Sequence, residues 1–352
     1  MTRILFRCDG TDDTGLGHVS RCLALAEAAS ELGASPIFVG KYGGHARMLL
    51  SDARMPVAVL DAPIGSDDDA ATVRAFAAGL RADRVVVDGY SFDAEYMNSL
   101  VPYASSPPLL VVDDAAALPR YPRGSCILSF TARAGALAYA GDRLTVLRGP
   151  GYLLARRAVR ALRGRPRHRR RLLVAIGGVD RSGATLRVVR ALAAARVEAD
   201  VDVVVRDDAP DRFAIAHAAA ELGPRTRVFG WLPHLAHRYE TAFACVSGGG
   251  LTKYEARWLG IPVAALSQSA LEAVDTEHMG PGEVLDLGEA AREGDATLAA
   301  TLRVFVDEAR QSPPSPPDWG ADPTLVAAAV LVEGWTDANP PGIHDAPTAP
   351  PF

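Results

Sequence analysis

Short apolar runs without polar alternation recur along the first half of the chain, at 4–6, 36–39, 57–60, 85–87 and 109–112. Strands of that kind are buried on both faces, as in parallel sheets. Between them lie Ala-rich stretches with apolar residues at helical spacing, notably over 20–32 and 71–80. Strand–helix–strand units of this length predict right-handed crossovers and a doubly wound sheet. The pattern restarts after Arg171, with strands predicted at 172–176 and 201–205 and helices over 184–194 and 211–222. Further short strands are predicted at 228–229, 243–246 and 263–266. The simplest architecture is α/β: two Rossmann-like domains, at 1–155 and 172–337, joined by a linker at 156–171. A Pro/Ser-rich connection at 311–319 precedes a predicted terminal helix over 323–335. The proline-crowded stretch 338–352 predicts a disordered tail.

Composition narrows the classes. At 352 residues and 49% hydrophobic, the chain suits two domains, each with its own core. A net charge of −5 argues against a general nucleic-acid binder, whose phosphate contacts need a basic surface. No apolar run approaches the roughly 20 residues that span a bilayer, and no basic-then-apolar leader opens the sequence, so a cytoplasmic protein is expected. The four cysteines have no metal-ligand spacing, and Cys8 and Cys245 sit in strand-like stretches as small buried hydrophobes. The linker itself, RRAVRALRGRPRHRRR, reads either as a solvated connection or as a site for an anionic partner such as RNA or a membrane surface. The overall acidity favours the first.

Two constellations carry chemistry. Directly after the first strand runs Asp9-Gly10-Thr11-Asp12-Asp13-Thr14-Gly15-Leu16-Gly17-His18-Val19-Ser20-Arg21-Cys22. Ligands of open α/β sheets bind outside the carboxyl ends of strands, where this loop lies. Gly15 and Gly17 let backbone approach a ligand and expose helix amides to anionic oxygens. His18 has the chemistry of a general base near neutral pH, and Asp9 is close enough in sequence to orient it or to hold a sugar hydroxyl. Arg21, a turn into the helix, suits a carboxylate, a phosphate or a polar sugar group. The plainer alternative is that His18 starts the helix and Arg21 faces solvent.

In the second half, Gly177 and Gly178 follow the first strand, as a tight turn or an approach to a diphosphate. More specific is Ser247-Gly248-Gly249-Gly250-Leu251-Thr252-Lys253-Tyr254-Glu255. Three glycines before a helix expose several amides, and with the amide end at Leu251 and the Thr252 hydroxyl they form a phosphate cradle. Glu255, a turn later, can accept both hydroxyls of a ribose. As structure alone, the segment is a Gly-rich turn and an acid near a helix N-terminus.

The run from Arg7 through Glu27, with its Gly-Leu-Gly-His-Val-Ser-Arg-Cys-Leu-Ala-Leu-Ala-Glu core, resembles the opening motif of the UDP-sugar hydrolases of pseudaminic acid biosynthesis. It is also similar to spore-coat polysaccharide glycosyltransferase-like proteins, and both groups resemble the GT-B class. The resemblance implies a GT-B-like pair of domains facing a cleft, with His18 as the base that activates water and Cys22 as packing. Val85-Val86-Val87-Asp88-Gly89-Tyr90, Val111-Val112-Asp113-Asp114 and Arg148-Gly149-Pro150-Gly151-Tyr152 are similar to further family segments. By that match Asp88 lines the sugar or acceptor pocket, and Tyr90 or Tyr152 packs on a sugar face; as structure alone the acids are equally helix N-caps. Phe229, Gly230 and Trp231 resemble the loop that contacts uracil, and Glu255 resembles the ribose-binding acid of GT-B proteins.

The chain departs from the pattern on the sugar side. The hydrolases' Asn-Gln pair is missing from Ala265-Leu266-Ser267-Gln268-Ser269-Ala270-Leu271-Glu272, and Cys126-Ile127-Leu128-Ser129-Phe130 replaces an Asp/Asn-rich strand. The leading expectation is a UDP-sugar hydrolase that needs neither metal nor cofactor. The alternatives are an inverting glycosyltransferase with an acceptor hydroxyl, and a non-catalytic nucleotide-sugar binding protein. No Gly-x-Gly-x-x-Gly follows the first strand, which argues against a Rossmann dehydrogenase.

Overall fold

The computed structural model describes residues 1–11, 14–180, 182–292, 294–313 and 315–335. Asp12, Asp13 and the tail expected over 338–352 lie outside the described residues. Seven parallel strands form the first sheet: β1 (Arg3–Cys8), β2 (Ser35–Gly40), β3 (Val57–Val59), β4 (Arg84–Asp88), β5 (Leu109–Val112), β6 (Cys126–Ser129) and β7 (Thr145–Arg148). Six form the second: β8 (Arg171–Ala175), β9 (Asp200–Val204), β10 (Arg227–Phe229), β11 (Ala242–Ser247), β12 (Val263–Ser267) and β13 (Leu285–Glu289). Their orders are β3-β2-β1-β4-β5-β6-β7 and β10-β9-β8-β11-β12-β13. In each sheet the order reverses beside the first strand, between β1 and β4 and between β8 and β11. At such a switch point the following loops leave on opposite faces and open a crevice at the carboxyl ends.

The doubly wound form follows from the strand sequences. Side chains alternate across a sheet, so Ile4, Phe6 and Cys8 of β1 pack with the helix α1 (Gly17–Glu31). Leu5, Val85 and Val87 instead meet Ala70, Val73 and Ala77 of the helix Asp67–Leu80 on the opposite face. The core containing α1 does not stop at the domain boundary. It continues through Leu173 and Cys245 of the second sheet, Trp258 of α2 (Leu251–Trp258) and Met279 of α3 (Ala270–Met279), to the last helix, α4 (Pro323–Glu333).

That last helix departs from the sequence expectation. Counted with the second domain, it instead packs against α1 of the first. Its residues Ala327, Ala328, Val330 and Leu331 are buried, and Asp322 caps it by accepting from the Leu325 amide at 3.0 Å. Thr324, without solvent exposure, accepts from the Ala155 amide at 3.0 Å and donates to the Leu153 carbonyl at 2.8 Å.

Most linker arginines are not solvated, contrary to the simpler expectation. Arg156 pairs with Glu27, and Arg160 with both Glu31 and Asp322, each at 2.8 Å. Arg163 and Arg167 donate to the carbonyls of Trp258 and Leu259 at the end of α2, and Arg169 donates to Ser312 O at 2.6 Å. Helix ends leave carbonyls without partners and carry partial negative charge, so guanidinium groups satisfy them well. Through these arginines the linker is tied to both domains.

Replacing Thr324 by valine keeps the volume and orphans a buried amide. Thr324→Val should cost about 1–3 kcal/mol, read from the midpoint of chemical denaturation at unchanged slope.

Candidate functional site

The first turn of α1 sets one wall. Leu16 at its N-cap supplies no side-chain cap, so the amide end is left open. His18 and Arg21 stand three residues apart and so share a helix face, above the end of β4. Asp88, the last residue of β4, lies in register with Cys8 and is inaccessible to solvent. Arg21 grips its carboxylate with two parallel bonds, Nε to Oδ2 and Nη2 to Oδ1, both 2.6 Å. His18 Nδ1 lies 2.7 Å from Oδ1, and Arg21 Nη2 stands 3.2 Å from that nitrogen because both serve the same oxygen. Burial alone would raise the Asp88 pKa, but Arg21 and then His18 outweigh it and hold the carboxyl well below its usual range.

An ionised Asp88 assigns the proton to His18 Nδ1, which makes Nε2 the acceptor face. Nε2 has no hydrogen-bond partner among the described residues, and His18 lines a cavity of about 250 Å³. The Tyr90 ring stands edge-on to the imidazole, centroids 4.9 Å apart, and its hydroxyl donates to Asp114 at 2.7 Å. Arg21 Nη1 reaches the other Asp114 oxygen at 2.8 Å, so Arg21, Asp88, Asp114, Tyr90 and His18 form one connected group. Cys22 is buried behind it, and its thiol, pushed up by burial, points at Asp88.

Asp9 takes no part in that group. Its Oδ1 accepts from Arg7 Nη1 and from the Lys41 amide, both at 2.7 Å. Arg7 in turn grips Asp69 on the far face of the sheet, which turns Asp9 away from His18. The orienting carboxylate is Asp88.

The second domain supplies the facing wall. Gly248 closes β11 against β8, where a Cβ would lie 2.2 Å from the Ile176 carbonyl oxygen. After it α2 begins, with no side-chain cap at its N-terminus. The Gly249 amide is bound by Glu272 Oε2 at 3.2 Å, which also accepts from Gln268 N at 2.8 Å. Thr252 and Glu255 follow on one face, lining a larger cavity of about 430 Å³ with Gly177, Gly178, Gly250 and Leu251. Glu255 is buried and accepts from the Tyr239 hydroxyl at 3.0 Å. Burial pushes its carboxyl up to about 7, with the Tyr239 bond and Arg156 acting in the opposite direction. Gly15, in the left-handed region at φ 73°, and Gly17 close the same cavity from the first domain. Trp231 lines it as well, and meets His45 across the cleft at 4.6 Å between rings.

The two cavities share Thr14, Gly17, Gly250, Leu251 and Glu272 as walls. The two cavities therefore adjoin at the N-terminus of α2, one reaching Glu255 and the other His18. Asp275 pins the halves together beside it. Asp275 takes Lys253 Nζ at 2.8 Å and the Tyr254 hydroxyl at 2.7 Å, while its other oxygen accepts from the Arg133 amide of the first domain.

Several expected residues lie elsewhere: Asp88, expected on the pocket wall, is sealed from solvent beneath Arg21 and His18, and Gly248 lines neither cavity. Tyr152 is buried in the short helix Pro150–Tyr152, which packs against α4, and Phe229 carries the Arg238 guanidinium on its ring face. Neither lines the two cavities. Sequence reasoning gave no role to Arg133, Asp275, Arg156 and His234, which also line the cleft. The paired acids at 113–114 carried a signal for Asp114; the others come from loops and helices with no motif.

No protein-family model and no curated protein sequence matches the chain. Solved structures do match its fold. MurG of Acinetobacter baumannii superposes with a TM-score of 0.58 at 14% identity, covering 95% of this chain and 99% of that one. The glycosyltransferase SnogD from Streptomyces nogalater gives 0.55 at 18% identity over 95% and 100%. The S. aureus MnaA–UDP co-structure gives 0.59 at 12% identity over 94% and 96%. The fold is that of the GT-B proteins: two parallel-sheet, Rossmann-like domains across a cleft.

Glu255 gives a pH test. Its folded pKa lies above its unfolded one, so folding binds an extra proton and stability falls as pH rises from about 4.5 towards about 7. Glu255→Gln should abolish that fall and be more stable than the parent at pH 8, by up to about 3 kcal/mol. Denaturation midpoints at pH 5 and 8 measure it.

Proposed function

We propose that this chain transfers a sugar from a nucleoside diphosphate sugar to an acceptor hydroxyl, with inversion at the anomeric carbon and His18 as general base. One observation carries the reading: a histidine with Nδ1 fixed by Asp88 and no partner on Nε2 among the described residues lines a cavity that adjoins an uncapped helix N-terminus. The acceptor O–H proton passes to Nε2 as its oxygen bonds to the anomeric carbon. The bond from that carbon to the phosphate oxygen breaks, and its electron pair leaves with the nucleoside diphosphate. Amides at the start of α2 and the Thr252 hydroxyl receive the developing charge, in the manner of an oxyanion hole. Asp88 stabilises the imidazolium that forms. Glu255 holds the ribose, Trp231 flanks the base, and uridine is the nucleoside implied by the sequence resemblance and supported by the fold shared with a protein solved with UDP.

The segments at 126–130 and 265–272, which depart from the hydrolase pattern on the sugar side, favour an acceptor over water. Hydrolysis remains a second reading, favoured by the resemblance of residues 7–27 to the hydrolase motif.

A panel of UDP-sugars, assayed for UDP release with and without added alcohols, tests this. Release that requires the alcohol is expected; equal release without it makes the protein a hydrolase. His18→Ala should lower turnover about 10²–10⁴-fold and change UDP affinity less than about twofold. Unaltered turnover removes His18 from the mechanism, and absence of UDP binding by the parent protein removes the nucleotide site.

A further inference from the structure

The polar side chains around His18 are largely used up by one another. Arg21 has its donors on Asp88 and Asp114, and Asp114 has both oxygens taken by Arg21 and Tyr90. Asp275 is filled by Lys253, Tyr254 and the Arg133 amide. The Tyr254 hydroxyl also accepts from the Ala132 amide at 2.7 Å, and Arg133 Nη2 donates to the Asp114 carbonyl. Thr14 exchanges hydrogen bonds with Thr11. An acceptor rich in hydroxyls would lose water there and find few partners, at a cost for each group left unmet.

Apart from Thr131, Glu272 and the rest of the Arg133 guanidinium, what remains on the cavity wall is apolar. Phe130 stands edge-on to Tyr254 at 5.7 Å, and Leu251 and Leu271 complete the lining. The surface stays apolar outside the cavity. Leu271 is 46% exposed, Val274 one turn along α3 is 42% exposed, and the Tyr90 ring is 58% exposed at the same mouth. Residues three apart on a helix share a face, so Val274 extends the exposed apolar side of Leu271 along α3. Ligand pockets are lined mainly by apolar side chains with a few placed polar groups.

We infer that the acceptor is an apolar alcohol: a flat or aliphatic body carrying the one hydroxyl that reaches His18 Nε2, not a saccharide. This rests on the transferase reading above. The body packs on Phe130, Leu251, Leu271 and Tyr90, and its hydroxyl is the nucleophile. Glu272, on the wall shared by both cavities and paired only with backbone amides among the described hydrogen bonds, is left to the donor sugar.

The test uses the full chain saturated with UDP, after calorimetry has established that UDP binds. 4-Methylumbelliferone, a flat molecule with one hydroxyl, is titrated by fluorescence, and methyl glucoside, with four, by calorimetry. Umbelliferone binding and no saccharide binding are expected. Leu271→Asn, at an exposed position that does not line the larger cavity, should weaken umbelliferone about tenfold, the loss for partial exposure of a leucine side chain, with UDP affinity unchanged. Saccharide binding without umbelliferone binding overturns the inference while the nucleotide reading stands. Umbelliferone affinity indifferent to Leu271→Asn, or no binding of either probe to the UDP-loaded protein, overturns it equally. Failure of UDP itself to bind overturns both readings together.

Discussion

One ionised carboxylate, held where no water reaches it, organises the first wall of the cleft. Asp88 ends a strand after three buried valines, and removing such a charge from water costs several kcal/mol unless its partners are well placed. Arg21 meets that requirement with a two-pronged grip, and His18 fills the remaining side. The constraint runs outward from there. It fixes where α1 begins over the sheet, which imidazole nitrogen carries the proton, and through Asp114 where Tyr90 lies. A functional base is thus built from a requirement of folding: satisfying the buried acid orients the histidine.

The two domains meet across the site with different chemistry. On one side of the interface, helix packing continues a single hydrophobic core from α1 to α4 and α2. At the cleft, Asp275 joins the halves through a lysine, a tyrosine and a backbone amide. Along the linker, guanidinium groups bind carboxylates of the first domain and helix-end carbonyls of the second. These polar contacts are directional and the core is close-packed, so both hold the register between the halves.

Much of this was legible in the sequence, for identifiable reasons. Central strands such as β4 and β8 are continuous Val/Leu runs because helices cover both faces, and they stand out at once. The edge strands β7 and β13 are half-exposed and mix polar residues into four or five positions, so they leave no such run. The helix Asp295–Gln311 has its signal in the spacing of Leu298, Leu302, Phe305, Val306 and Ala309, which strand–helix alternation alone does not reveal. The location of the cleft could be read because the motifs follow β1, β8 and β11, strands that flank the switch points. The partner of His18 could not be chosen from proximity in sequence. Asp9 is nine residues away and turns towards Arg7, whereas Asp88 is seventy residues away and lies beside β1 through strand pairing. Nor could the destiny of the linker arginines be read, since their partners are mostly carbonyls and so leave no trace in residue type.

The return of α4 to the first domain means that the chain passes between the halves twice, once through the linker and once through 312–322. The two passages run side by side, joined where Arg160 meets Asp322 and Arg163 meets the Pro317 carbonyl. Twisting one half against the other would have to break both of these contacts and strain two chain segments at once, so the paired passages resist rotation more than a single linker would.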